Sequence, residues 1–288
     1  MSVSETATVS GIRTTQLPSG EPVAVLGQGT WGMGERAANR REELHALSEG
    51  LDLGLTLIDT AEMYGGGAAE ALVGEAIANR RAEVFLVSKV LPQHASERGT
   101  IDACEQSLRR LNTDRIDLYL LHWREDVPLE QTLAGLARLI EDGKIRHWGV
   151  SNFDVSDLEE LTALDLGAAL ATNQVLYNLT RRGIEFALLP WCRERAMPIM
   201  AYSPVEQGRL LKSKHLEKIA ARLNATPAQV ALAWAIREDG VIAIPKAARV
   251  EHVHENRQAL DLHLTETDLA ELDQTFRPPR KATPLEMI

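Results

Sequence analysis

Cysteine is scarce in this chain, and so are the features that would direct it to a membrane, a metal or a nucleic acid. The two cysteines among 288 residues, Cys104 and Cys192, are too few for a disulfide framework and carry no metal-type spacing. Both fall in stretches that read as helix, and a reducing cytoplasm is the expected location. No apolar run approaches the roughly 18 residues of a membrane span. The first seven residues, Met1 to Ala7, show neither the basic start nor the apolar core of a signal peptide. Positive charge is also short: 31 Lys and Arg stand against 41 Asp and Glu, and the net charge of -10 repels nucleic acid and anionic membranes. Any anionic ligand must then be held by local cationic groups. His252, His254 and His263 lack the cysteine or carboxylate arrangement that defines a metal site, so none is expected. No linker, low-complexity stretch or composition break divides the chain.

What is present is alternation. Short β-rich apolar runs bounded by turn residues alternate with longer segments of helical period, the pattern of βα units around a parallel sheet. Eight strands are predicted: 24–26 running into Thr30, then 56–59, 84–89, 118–122, 145–151, 171–177, 198–202 and 241–245. The count predicts an α/β fold, a (β/α)8 TIM barrel formed by residues 1–288 as a single domain. Ahead of it, Pro18-Ser-Gly20 between two extended runs predicts an N-terminal β-hairpin that plugs the barrel floor. Residues 265–276 predict an extra C-terminal helix, and residues 277–288 form a tail rich in proline and basic residues, placed near the barrel mouth. Ser156-x-x-Glu159 and Thr226-Pro-Ala-Gln229 both fit a capping box, with Pro227 at the first helical position. Leu133, Leu136, Ala137 and Ile140 share one helical face that ends near Gly143.

Polar residues stand where the apolar runs stop. In a closed parallel barrel the C-terminal ends of all strands open on one face. Trp31, Asp59, Lys89, His122, Ser151 with Asn152, Gln174, Tyr202 and Lys246 would therefore meet at one mouth. Any one of them is more often structural than functional, but charges such as Asp59 and Lys89 at buried strand ends need partners. Reducing a carbonyl requires a hydride on carbon and a proton on oxygen, and a phenol with a pKa of about 10 is a weak donor at neutral pH. A nearby ammonium lowers an acid's pKa by roughly 1 to 3 units, and a carboxylate beside that ammonium keeps it charged and oriented. Tyr64 is thus expected as general acid, Lys89 as its tuner, Asp59 as the anchor, and His122 as the group that holds the substrate oxygen.

These residues resemble the aldo-keto reductases. Asp59-Thr-Ala-Glu-Met-Tyr64, Ser88-Lys89 and Leu121-His122 match the family's Asp, Tyr, Lys and His tetrad in order and strand context. Further matches lie in 143–152, Asn173-Gln174, Ala201-Tyr-Ser-Pro204 and Ile244-Pro-Lys246. The chain as a whole resembles the short bacterial members that act on methylglyoxal and small aldehydes. The resemblance implies an NADPH-dependent oxidoreductase of the alcohol dehydrogenase type (EC 1.1.1) that reduces aldehydes or ketones to alcohols. It implies an extended nicotinamide dinucleotide across the barrel mouth, with Gly29 and Thr30 offering backbone and Asp59 beside it. Tyr202 would stack on the nicotinamide, and Ser151, Asn152 and Gln174 would hydrogen-bond its carboxamide. Ser203, Pro204, Gly208 and Leu210 would wrap the pyrophosphate. Lys246 and Ala247 would stand by the adenosine phosphate, and Glu255 with Asn256 by the adenine. Ala247 and His252 replace a hydroxyl and an arginine usual in the family, and Arg249 is the candidate substitute at the 2′-phosphate. NADPH is thus favoured, with NADH possible. Trp31, Tyr64, His122 and Trp123 fall where the family lines its substrate pocket, and short segments after the fourth and seventh strands predict an open site. The expected partner is a small-molecule carbonyl, with no nucleic acid, no membrane and no obligate protein partner.

Other signals read more plainly. Gly27-Gln-Gly29-Thr-Trp-Gly32 has dinucleotide-fingerprint spacing, yet Met33-Gly34-Glu35 follows instead of an apolar helix start, so it reads as a turn. Gly65-Gly66-Gly67 lacks the Lys-Ser/Thr of a phosphate loop and is expected to let the chain turn tightly behind Tyr64. Arg124 is expected to be a solvated loop arginine rather than a carboxylate receptor. Two other functions compete: a cofactor-binding regulatory barrel, against which the intact tetrad argues, and a Schiff-base lyase using Lys89. The lyase needs a lysine of depressed pKa in apolar surroundings, whereas Asp59 should keep Lys89 charged.

Overall fold

Residues 8–9 and 11–288 are described by the computed structural model. Three short antiparallel strands come first, β1 (Thr8–Val9), β2 (Ile12–Gln16) and β3 (Pro22–Ala24). Alternation follows: β4 (Gln28–Gly29), α1 (Arg40–Asp52), β5 (Leu57–Asp59), α2 (Ala68–Ile77), β6 (Phe85–Val90), α3 (Glu97–Leu111), β7 (Ile116–Leu121) and α4 (Leu129–Glu141). The second half runs β8 (Ile145–Ser151), α5 (Val155–Thr162), β9 (Leu170–Leu176), α6 (Leu188–Glu194), β10 (Ile199–Tyr202), α7 (Lys214–Arg222) and α8 (Pro227–Ala235). It closes with β11 (Val241–Ala243), α9 (Val250–Gln258) and α10 (Glu266–Thr275).

Strands β4 to β11 pair in sequence order, all parallel. The sheet closes on itself, because Leu26 bridges Ala243 and Gly29 bridges Lys246, both parallel. Gly29 is required at that seam: a Cβ there would lie 2.7 Å from the Ile244 carbonyl oxygen. The result is the expected (β/α)8 barrel. Its interior is packed by Leu57, Val87, Leu118, Leu120, Ala171, Met200, Ile242 and Ile244, and the same cluster contains Leu17 and Val23 from the β2–β3 hairpin. The hairpin therefore does plug the floor, where burying Leu17 and Val23 contributes about 1.5–3 kcal/mol each.

Most predicted elements fall where the alternation put them, with three local differences. The first barrel strand is Gln28–Gly29, while Ala24 ends the hairpin. The cap of α5 is Asp154, whose carboxylate accepts from the Asp157 N–H at 2.9 Å in a reciprocal capping box, and Ser156 is the second residue of the helix. The buried face of α4 is Leu129, Thr132, Leu133, Leu136 and Leu139, leaving Ile140 exposed. The Thr226–Gln229 box and the Thr265 start of the last helix are as expected. A helix missing from the sequence reading, α7, stands beside α8 in the segment between β10 and β11.

Candidate active site

Apolar strand interiors end in polar groups because only the strand tips escape the packed barrel. β5 ends on Asp59 and β10 on Tyr202, Lys89 is next to last in β6, His122 directly follows β7, and Ser151 ends β8. Tyr64 lies just beyond β5, in a turn made possible by Gly65, Gly66 and Gly67, whose φ values are 58°, 60° and 92°.

The four tetrad side chains meet. Lys89, fully buried, places Nζ 2.9 Å from both Asp59 oxygens, 2.8 Å from the Thr60 carbonyl and 3.2 Å from the Tyr64 hydroxyl. An ammonium has no acceptor, so the hydrogen in the Lys89–Tyr64 contact is the lysine's, and the phenol keeps its own for another acceptor. The Tyr64 and His122 rings stand edge to face with centroids 5.9 Å apart, and both line one cavity. Among the described residues none hydrogen-bonds His122 Nδ1.

Burial pulls the Lys89 ammonium down, yet Asp59 and Tyr64 outweigh it and hold it above its ordinary value. Burial raises the Tyr64 phenol, and although Lys89 pulls it down as expected, the net direction is up. The lysine thus offsets desolvation rather than making the phenol more acidic than a solvated one. His122 is pushed down to about 3 by burial and by the Lys89 charge, so its imidazole is neutral.

The cavity measures about 640 Å³. Its lining takes in Gly29, Thr30 and Asp59 on one wall and Ser151, Asn152, Gln174 and Tyr202 on another. Ser203, Pro204 and Gly208, then Lys246, His252, Glu255 and Asn256, continue it toward the start of α9. Trp31, Tyr64, His122 and Trp123 line the same cavity. Leu210, Ala247 and Arg249 lie outside the lining, as does Lys89, which supports Tyr64 from behind.

Fixed hydrogen bonds orient the polar wall. Asn152, held at φ 61°, donates to the His122 carbonyl and to Ser151 Oγ at 3.1 Å each, and accepts from the Tyr202 hydroxyl at 3.0 Å. Gln174 Nε2 donates to Asp59 Oδ1 at 2.7 Å. Sequence reasoning missed Met63, Leu211, Ala228, Met287 and Ile288, which also line the cavity. No periodicity marks such residues, since loop and tail placement depends on tertiary contacts. Arg124 points away, donating to Asp157 and twice to Glu160. Among the described residues no group of three or more His, Cys, Asp or Glu side chains could hold a metal, and no helix is long and apolar enough to cross a membrane.

The model of the Aldo/keto reductase family matches residues 25–276. Methylglyoxal reductase YeaE of Escherichia coli (strain K12) is 53% identical over 268 residues, covering 91% of this chain and 94% of that protein. An aldo/keto reductase from Klebsiella pneumoniae, solved in complex with NADP and acetate, has a TM-score of 0.94 at 49% identity, covering 96% of this chain and 100% of its own. A Klebsiella pneumoniae structure in complex with NADPH gives 0.93 at 50% identity, covering 96% and 99%.

Proposed function

The chain belongs to the aldo/keto reductase family, and from that premise we propose that it is an NADPH-dependent oxidoreductase reducing small reactive carbonyls, methylglyoxal among them, to alcohols. The reading is of the alcohol dehydrogenase type, EC 1.1.1. The observation that carries it is the buried Asp59–Lys89–Tyr64 chain opening, beside His122, on a cavity of about 640 Å³.

The lining fits a nicotinamide dinucleotide. One end offers the Tyr202 ring, Ser151 and the amides of Asn152 and Gln174, suited to a planar ring bearing a carboxamide. The other end reaches the N-terminal turn of α9 with Lys246 and His252, a setting that favours anions. When bound, the dinucleotide supplies the hydride.

The chain's own residues do the rest. Neutral His122 and the Tyr64 hydroxyl bracket the place where a carbonyl oxygen would lie, and both can donate to it. Lys89 fixes the phenol by donating to its oxygen, which leaves the phenolic proton for the substrate. As that proton leaves, the ammonium at 3.2 Å stabilises the phenolate. Asp59 keeps the ammonium charged, and that same pairing speaks against a Schiff-base lyase: a buried lysine held in its charged form by its neighbours is no nucleophile.

The apolar rim of Trp31, Met63 and Trp123 suits small uncharged carbonyls. Cys104 and Cys192 are buried free thiols, both pushed up to about 12 by burial. The decisive assay follows NADPH absorbance with methylglyoxal in wild type and Tyr64→Phe. Turnover in the first and near-complete loss in the second, with NADPH binding kept, is expected. Equal rates would remove Tyr64 from its role, and tight NADPH binding without turnover in wild type would favour a regulatory barrel.

A further inference from the structure

One guanidinium joins two parts of the cavity rim that are far apart in sequence. Arg181, in the turn after β9, donates from Nη1 to Glu286 Oε1 at 2.6 Å. From Nη2 and Nε it donates to Glu206 Oε1 at 3.0 and 3.2 Å. Glu286 is followed by Met287 and Ile288, which line the cavity together with Tyr202. Glu206 belongs to the loop 203–208, where Ser203, Glu206 and Gln207 hold positive φ of 48°, 51° and 53°. Such non-glycine conformations persist only where neighbours impose them. Asn178 helps impose these, donating to the Ser203 carbonyl at 3.0 Å and to Glu206 Oε2 at 2.8 Å.

The two arms of Arg181 differ in kind. The Glu206 side chain is 6% exposed and also receives Arg209 at 3.0 Å, whereas the Glu286 side chain is 44% exposed and, among the described residues, bonds to Arg181 alone. The inner arm is buried and braced by a second arginine, and the outer arm is the more exposed.

We propose that Arg181 is a positioning residue that couples the loop 203–208 to the tail segment 286–288, so that seating a cofactor on the loop and seating the tail against the carbonyl favour each other. The inference rests on the cofactor placement proposed above. Ordering the loop fixes the inner arm and so aims the outer half of the guanidinium at Glu286. Coupling of this kind is reciprocal: a seated tail must also tighten cofactor binding.

The test is Glu286→Gln, which weakens the outer arm alone, read in two ways. Trypsin cleavage after Arg280 and Lys281 reports how well the tail is seated, with and without NADPH. NADPH should slow that cleavage several-fold in wild type and much less in Glu286→Gln. Steady-state kinetics with methylglyoxal should show KM raised several-fold in Glu286→Gln with kcat nearly unchanged, a split that a general loss of structure would not produce. Arg181→Gln should reproduce both effects and also raise the NADPH dissociation constant, read by quenching of tryptophan fluorescence. Equal protection of the tail by NADPH in wild type and both variants, with KM unaltered, overturns the coupling while leaving the reductase reading intact. Failure of wild type to bind NADPH removes the cofactor placement and the coupling with it.

Discussion

Gln174 donates its side-chain amide to Asp59 Oδ1 at 2.7 Å, so one carboxylate holds both the lysine behind Tyr64 and a polar side chain from β9. The relationship changes what Gln174 has to offer. One N–H of its amide is engaged with Asp59 and the amide nitrogen also lies 3.9 Å from Met200 Sδ, so its carbonyl oxygen is the group with no such partner to offer a ligand in the cavity. The Asp59–Lys89–Tyr64 chain and the polar wall are thus parts of one hydrogen-bonded unit.

A unit built around a buried charge pair should be fragile to single changes and tolerant of a paired one. Asp59→Asn leaves the Lys89 ammonium buried without its counter-ion, and Lys89→Met leaves the carboxylate likewise; breaking a buried pair costs about 3–5 kcal/mol. Replacing both removes the uncompensated charge. Asp59→Asn with Lys89→Met should unfold in urea at a higher midpoint than the less stable single variant. All three should lose kcat/KM by roughly a hundredfold or more, since Tyr64 loses either Lys89 or the carboxylate that holds Lys89 charged and in place. A double variant less stable than both singles would sink the argument.

Two titrations separate the tetrad's roles by pH. Tyr64 stays protonated beyond its ordinary value of 10.0, so carbonyl reduction should be level through the neutral range and decline only in strong alkali. His122 is neutral when folded, with its pKa held at about 3 against 6.5 unfolded. Between those values the unfolded chain binds a proton that the folded chain refuses. Its contribution is therefore whole above pH 6.5 and lost as pH falls toward 3, at about 1.4 kcal/mol per unit. Urea unfolding at pH 6.5, 5.5 and 4.5 should show a shallower loss for His122→Gln than for wild type. Parallel losses would mean that the histidine is not held neutral.

The barrel and its tetrad were legible because both depend on local pattern: apolar runs give strands, and the polar residue that ends each run is carried to a shared mouth by closure alone. The first strand was harder, since β3 and β4 are three and two residues long and only the seam contacts of Leu26 and Gly29 distinguish them. The α5 cap was misplaced by two residues because Asp154 and Ser156 are chemically equivalent candidates, and only the backbone at Asp154, with φ -84° and ψ -176°, decides between them. Helix α7 went unread, although Ser213 caps it and Leu216, Ile219 and Ala220 are buried on it at helical spacing. The tail 277–288 is expected near the mouth, but no pattern singles out Met287 and Ile288 as lining, because the tail is held by Arg181, a contact 105 residues away in sequence.

Arg124 gives a negative prediction. Its guanidinium is committed to Asp157 at 3.1 Å and to both oxygens of Glu160 at 2.7 Å, although it is only two residues from His122. Arg124→Ala should therefore leave the ratio of kcat/KM for methylglyoxal and for 2-carboxybenzaldehyde unchanged, and as a largely exposed pair its loss should cost at most about 1 kcal/mol of stability. A selective fall with the carboxylated aldehyde would show that the arginine leaves α5 to meet substrate.

Arg249 carries the choice between dinucleotides. It precedes α9 directly and lies outside the cavity lining, but its guanidinium meets His252 Nε2, and His252 Nδ1 lies 3.1 Å from Glu255 Oε2. His252 and Glu255 both face the cavity, so the arginine is one side chain removed from whatever occupies that end. A 2′-phosphate there would give Arg249 a stronger acceptor than an imidazole nitrogen, because hydrogen bonds between charged groups are roughly twice as strong as neutral ones. NADH offers no such acceptor. Arg249→Ala should therefore raise the NADPH dissociation constant about tenfold, a loss of about 1.4 kcal/mol, and leave that for NADH unaltered. The NADPH preference of wild type should also shrink with added salt, since the contact is solvent-exposed. If the preference survives Arg249→Ala, Lys246, which faces the same end of the cavity, is the next cation to remove.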